Sequence, residues 1–424
     1  MITVNKIKLP VILLLFLSTT SLAMGKNVDS LDVYLKAAAM NNPEIKSAFA
    51  AYQSATNKIP QAGAYDDPEL EIGISPDPMD GYSGREVATF TLMQMFPWFG
   101  TKKAAQNEAR HMAQMEYEKY RTVRDELYLK VYSQWFGLCG LQQKLINTRE
   151  NRDLLGVLEQ LLIRNEVASS GMSDILRVQL EITELDNNIE SLQSEIRSGK
   201  AMFNALLNRS AESEVIVPDS FMQTPFLFDV ASIKAKMEIQ NPELSMIKEE
   251  EFAYKAKGKM QEKMGYPMFG VGLQYMLLDK NKSMSSMSGM NGKDMLMPMV
   301  SLSIPIYRNK YKAQQQESKF SQQASQDKFR NKLNILEAEL HRLKHLLDDA
   351  SRQIILSGKQ KEIAQTAYNL TVQEFVSGKS DLNDIIQVQR QLLDYKLKKA
   401  ESVATYNTMV AAIQRLISSE ENKQ

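Results

Sequence analysis

Residues 268–277 read Met-Phe-Gly-Val-Gly-Leu-Gln-Tyr-Met-Leu, entered through Tyr266-Pro267. Phe269, Val271, Leu273, Tyr275 and Leu277 alternate with Met268, Gly270, Gly272, Gln274 and Met276. One face is apolar and the other is small, polar or thioether, which is the period-two signature of a strand. Val300, Leu302 and Ile304 repeat the pattern around Ser301 and Ser303, before Pro305. Two more such segments lie far upstream. Leu70, Ile72 and Ile74 enclose Glu71 and Gly73, while Phe90, Leu92 and Phe96 alternate with Thr91, Met93 and Met95. Beyond each second segment comes a long stretch without proline, 98–217 and 306–424. Proline breaks helices by removing a donor and clashing with the preceding turn. Its absence from spans rich in Gln, Glu, Lys, Leu and Ala predicts long helices. Leu127, Val131, Trp135, Leu138, Leu141 and Leu145 recur at steps of three and four, as do Val403, Tyr406, Val410, Ile413 and Ile417. A helix from Thr101 to about Asn165 would be roughly 100 Å long. A chain of this size packed as a globule has a radius of gyration near ~21 Å, so an elongated molecule is expected.

The two halves are copies of one motif. Asn42-Pro43-Glu44 recurs as Asn241-Pro242-Glu243, and Pro68 as Pro267. Phe96-Pro97 answers Ile304-Pro305, and Ser170-Gly171-Met172-Ser173-Asp174 answers Ser377-Gly378-Lys379-Ser380-Asp381. The unit is too long for a solenoid repeat. Each copy reads as a helix, two strands, a long helix, a Ser-Gly turn and a returning helix. The expected limits are 24–217 for the first repeat, 218–240 for a linker or equatorial segment and 241–424 for the second, with a methionine-rich loop over 279–298. The turn glycines are expected at positive φ. Ser173, Asp174, Ser380 and Asp381 are candidate N-caps for the returning helices.

With 51 basic and 51 acidic residues, the chain has no net charge and no general attraction for nucleic acid. A single cysteine, Cys139, leaves neither a disulfide nor a Cys-cluster zinc site. Residues 1–23 carry Lys6 and Lys8, an apolar run over Leu9–Leu17 and then Ser21-Leu22-Ala23, the layout of a cleaved export signal. The lone cysteine lies far from that site, so no N-terminal lipid anchor is expected. No later run has the length and apolarity of a transmembrane helix. A β-barrel would escape that criterion, because alternating strands barely register in hydropathy.

A half-buried sheet of a water-soluble protein shows the same alternation. Here the long spans lead away from the strands and do not cover them. Four strands are too few to close a barrel, and their edges stay open. Three copies would bring twelve, an even number in the range of membrane barrels.

The Asn-Pro-Glu starts, the Asp67-Pro68 and Tyr266-Pro267 strand entries, and the Phe96-Pro97-Trp98 and Ile304-Pro305-Ile306 exits carry a resemblance. Asn204-Ala205-Leu206-Leu207-Asn208-Arg209, followed by Val217-Pro218-Asp219, adds to it. In their order and spacing they make the chain resemble the TolC-type outer-membrane efflux proteins, particularly the heavy-metal and multidrug branch. The resemblance implies a mainly α chain with a small β part and two structural repeats. It implies a homotrimer whose 12-stranded transmembrane β-barrel sits in outer-membrane lipid and continues as a 12-helix periplasmic α-barrel. The implied partners are a periplasmic adaptor and an inner-membrane RND-type pump. The implied role is a passive exit channel, not an enzyme, with no cofactor.

The resemblance also implies an acidic residue six positions after the second turn glycine, where three copies would ring the tunnel entrance. Asp384 stands six after Gly378, whereas the acid common three positions later is replaced by Gln387. Asp381 and, in the first half, Asp174 are the other acids of the turns. A carboxylate ring favours cations, while the same acids also suit helix starts. Ser170, Gly171, Ser377 and Gly378 are the candidate adaptor contacts. The methionines at 284, 287 and 290 are spaced by three, and Met295 and Met297 follow. Thioether sulfur suits Cu(I) or Ag(I). A flexible loop with some methionines in strand or lipid contacts is the other reading. His341 and His345 lack the glutamate of a zinc-protease helix, since Arg342 follows the first. Two further functions fit parts of the sequence. One is a periplasmic coiled-coil adaptor, although adaptors carry one helical hairpin and not two. The other is a secreted methionine-rich metal-binding protein.

Overall fold

The computed structural model describes residues 31–81, 84–164, 171–281 and 291–418; the expected export signal over 1–23 lies outside them. The first half runs α1 (Leu31–Asn41), α2 (Pro43–Gly63), β1 (Glu69–Ile74), β2 (Asp80–Gly81), β3 (Gly84–Phe96), α3 (Thr101–Ile163) and α4 (Met172–Leu206). The second runs α5 (Val230–Gln240), α6 (Pro242–Met264), β4 (Met268–Asp279), β5 (Met295–Ser303), α7 (Arg308–Val376) and α8 (Leu382–Leu416). Helix α7 has 69 residues and α3 has 63, so each is roughly 100 Å long. The exposed surface is 27520 Å², where a compact chain of 48.1 kDa would expose roughly 16,500 Å².

The helices lie side by side in a layer. Near the strands the packing order is α2, α3, α6, α7; toward the far end it is α4, α3, α8, α7. Helices α3 and α7 therefore run through both halves of the shaft, and the shorter helices fill the gaps between them. Asn42 and Asn241 fix where the two levels meet. The Asn42 side chain accepts from the Glu44 and Ile45 amides at 2.8 and 3.4 Å and donates to the Leu206 carbonyl at 2.9 Å. Asn241 does the same with Glu243 and Leu244 at 3.0 and 3.2 Å, and with Leu416 at 3.0 Å. Each asparagine thus caps one helix start and satisfies the end of another, and the proline after it sits where no donor is needed.

Two sequence expectations are refined. Within the expected linker or equatorial segment 218–240, Val230–Gln240 is helix α5, capped by Asp229 through the amides of Ala231 and Ser232 at 3.2 and 3.3 Å. It is the counterpart of α1, and both are 11 residues long. The methionine-rich loop is also shorter than 279–298. Met295 and Met297 belong to β5, because the two-residue alternation runs on through Leu296, Pro298 and Val300.

The strands of both halves join in a single antiparallel sheet of order β1-β3-β4-β5, with the two-residue β2 beside β3. Cross-strand rows assign the two faces. Ile72, Phe90, Tyr275 and Leu296 form one row, and Leu70, Leu92, Leu273 and Pro298 the next. Their neighbours Phe269, Leu302 and Val300 stand on the same face. All are exposed, from 37% at Phe90 to 84% at Val300. The opposite face carries Glu69, Met93, Gly272 and Met299 in one row, and Glu71, Thr91, Gln274 and Met297 in the next. Among the described residues, no helix packs over either face, and β1 and β5 are open edges.

Candidate functional site

The far end of the shaft carries the two turns. Leu155, Leu158 and Leu162 of α3, Val178 and Leu185 of α4, Phe375 of α7, and Leu382 and Ile385 of α8 form one buried cluster there. Four helix ends therefore meet as one tip, and both turns sit on a common apolar footing.

In the second turn, Ser377 caps the end of α7 and Gly378 takes φ +73°. The Gly378 amide reaches the Phe375 carbonyl at 3.0 Å and the Lys379 amide the Glu374 carbonyl at 2.8 Å. This pair of bonds closes a helix through a left-handed residue. The Ser377 hydroxyl donates to the Glu374 carbonyl at 2.9 Å. Asp381 is the N-cap of α8 and accepts from the Leu382 amide at 2.7 Å. Asp384 reaches back, accepting from the Asp381 amide at 3.3 Å and from the Ser380 hydroxyl at 3.0 Å. The carboxylates of Asp381 and Asp384 thus complete a capping box, and their charge suits a helix start. Asp384 and Gln387 are both exposed, on the side of α8 opposite the buried Leu382, Ile385 and Gln389.

The first turn is built differently. Gly171 is the N-cap of α4 with φ −104°, so the expected positive φ does not occur there. Neither Ser173 nor Asp174 is the cap. The helix starts earlier, at Met172, and Asp174 takes the third helical position, where it accepts from the Gly171 amide at 3.2 Å. Ser170 lies outside the described residues.

Sequence reading missed the polar contacts between the turns. Arg177 of α4 donates to the Asn383 side chain at 3.1 Å. Arg390 of α8 holds Glu181 in a two-pronged pair, with Nε at 2.8 Å, and stands 4.0 Å from Glu184. These partners are about 200 residues apart in the chain, so no local spacing reveals them. Gln389 is buried and donates to the Asn151 carbonyl at 3.2 Å.

Met284, Met287 and Met290 lie outside the described residues. Among the described residues, no group of three or more His, Cys, Asp or Glu is arranged to hold a metal ion. No described helix is long and apolar enough to cross a membrane. Cys139 is buried in α3, and burial pushes its thiol up to about 12, out of the reactive range.

No protein-family model matches the chain, and no curated protein matches its sequence. Solved structures do match. The outer membrane protein VceC from Vibrio cholerae superposes with a TM-score of 0.73 at 12% identity, over 92% of this chain and 96% of that one. CusC, described in terms of folding and transmembrane channel formation, gives 0.73 at 15% identity over 91% of both chains. The open state of the Neisseria gonorrhoeae MtrE outer membrane channel gives 0.72 at 12% identity, over 92% and 89%. Nearly the whole described chain takes part in each match. Its fold is that of the TolC-type outer-membrane channels.

Proposed function

We propose that three copies of this chain form a passive exit duct in the outer membrane of a Gram-negative cell. The duct receives substrate from a periplasmic adaptor and an inner-membrane RND-type pump and releases it outside. Drugs and heavy-metal cations are both within the scope of this reading. One observation carries it: a sheet with an exposed apolar face and two open edges stands at the end of a shaft roughly 100 Å long. Exposed apolar area of that extent needs lipid, and open edges need further strands. Three copies supply those strands and close twelve of them, leaving the apolar face outward toward lipid.

The tip is the entrance in this arrangement. Ser377 and Gly378, with Ser170 and Gly171, present the adaptor contact. Asp384 contributes to a three-fold carboxylate ring that favours cations, and Asp381, Asp174 and Gln387 stand beside it. Purified protein added to planar lipid bilayers is expected to open conductance, and Asp384→Ala to reduce its cation preference. A compact monomer that is stable without detergent and ignores bilayers would overturn the duct. Unchanged ion selectivity in the Asp384 variant would remove the ring alone.

A further inference from the structure

The sheet face opposite the apolar one holds an unusual density of sulfur. If the apolar face meets lipid, this second face lines the interior; the inference rests on the duct reading to that extent. Met93 and Met95 of β3, Met276 of β4, and Met295, Met297 and Met299 of β5 all belong to it by register. Met276 is directly opposite Met295, a spacing that brings side chains within about 5 Å at Cβ. Met93 and Met299 are the two cross-strand partners of Gly272, one on each side.

The glycines of β4 make this arrangement possible. A methyl carbon built on Gly270 would stand 2.5 Å from Met95 Sδ and 3.2 Å from Met93 Sδ. One built on Gly272 would stand 3.0 Å from Met93 Sδ. Any larger residue at either position would displace a thioether. The alternation of β4 thus clears a floor on which the sulfurs of β3 lie close together, between the methionines of β5 and the polar Glu69 and Glu71 of β1.

We infer that this face is a ladder of thioether sites for a soft monovalent cation, Cu(I) or Ag(I). Methionine is neutral and polarisable, so two or three thioethers hold a soft ion but offer little to Zn(II) or Mg(II). Glu69 and Glu71 in the same rows add negative potential. Several adjacent sites of modest strength suit passage, since an ion can step between them and still leave. The site differs from the loop methionines 284, 287 and 290: its ligands, Met295 and Met297 among them, are strand residues, and those three are not needed.

Ag(I) binding to the full chain, purified in detergent, tests this, with absorption spectroscopy at the silver edge reporting sulfur neighbours. The variant carries Met93→Leu, Met95→Leu, Met297→Leu and Met299→Leu together. Leucine keeps volume and apolarity, so the fold should survive, as thermal melting would verify. Loss of about tenfold or more in Ag(I) affinity is expected. A second variant, Met284→Leu with Met287→Leu and Met290→Leu, should bind Ag(I) as the parent does. Equal binding by the parent and the strand variant overturns the ladder, as does loss confined to the loop variant. Planar-bilayer conductance separates the two readings. A parent that conducts but fails to bind Ag(I) loses only the ladder. A parent that binds Ag(I) through sulfur but never conducts keeps the site and loses the duct.

Discussion

The two halves of the chain agree at the middle of the shaft and differ at its tip. At the middle, Asn42 and Asn241 make the same three hydrogen bonds to equivalent partners. Both are buried, at 7% and 2% exposure. At the tip, one turn closes through a left-handed glycine and the other does not. A junction where one helix starts and another ends leaves orphan donors and acceptors in both copies. The same side chain answers the same need twice. The tip meets outside groups, and there the copies are free to diverge.

The cores beneath the asparagines share their pattern but not their composition. Leu127, Val131 and Leu138 of α3 correspond to Leu336, Leu340 and Leu347 of α7, and all six are buried. Between them Trp135 corresponds to Lys344. Trp135 packs with Tyr34 and Phe203 at ring distances of 5.4 and 5.7 Å. Lys344 instead pairs with Asp348 at the surface, at 2.5 Å. Trp135→Ala should therefore be the most damaging of the changes considered, at about 3–5 kcal/mol. Lys344→Ala at the equivalent position should cost less than about 1 kcal/mol. Denaturant unfolding of the two variants measures the contrast, and equal losses would refute the assignment of a core side chain at this position to the first half alone.

The asparagines should behave as twins. Asn42→Ala and Asn241→Ala each remove a cap, worth about 1–2 kcal/mol, and strip a partner from a carbonyl at the end of α4 or α8. Losses that agree within about 0.5 kcal/mol would support equivalence of the two junctions; a silent Asn42→Ala would break it. The glycines should not behave as twins. Gly378→Ala forces a side chain into the left-handed region and should cost about 1 kcal/mol. Gly171→Ala, at φ −104°, should cost only a few tenths. Thermal midpoints of the pair settle the order.

How legible this was in the sequence depended on the range of the interaction. The starts of α2 and α6, the limits of α3 and the four main strands follow from local signals: Asn-Pro-Glu, missing proline and two-residue alternation. Helices α1 and α5 were missed because 11 residues give too little periodicity to stand out. Ser173 and Asp174 looked like caps, yet the helix begins at Met172 and Asp174 serves three positions into it. The pairing of β3 with β4, which joins the halves into one sheet, depends on contacts across more than 170 residues and leaves no local trace. The Arg390–Glu181 pair was hidden for the same reason. At the site, Asp384 as a ring residue came from the family resemblance, while its role at the helix start was legible from the acids beside the turn and is the one the hydrogen bonds display.

The smallest expected difference between the halves is electrostatic, and it depends on pH. Glu108 of α3 and Glu317 of α7 occupy equivalent positions. Lys257 bonds directly to Glu317 at 2.9 Å, and that hydrogen bond raises the lysine above its usual range. Glu108 has no such bond from Lys257, and burial lifts its carboxyl above the usual value of 4.5, with attraction to Lys257 only partly opposing the shift. An acid whose folded value is raised supports the fold when protonated. Its contribution is fully present below the unfolded value of 4.5 and is lost as pH rises through the folded value. Glu108→Gln should therefore raise the thermal midpoint at pH 7 and leave it nearly unchanged at pH 4. Glu317→Gln should do the reverse at pH 7, since it removes the partner of Lys257. Melting curves of both variants at the two pH values test the signs, and a Glu108→Gln protein destabilised at pH 7 would show that attraction to Lys257, not burial, governs the first copy.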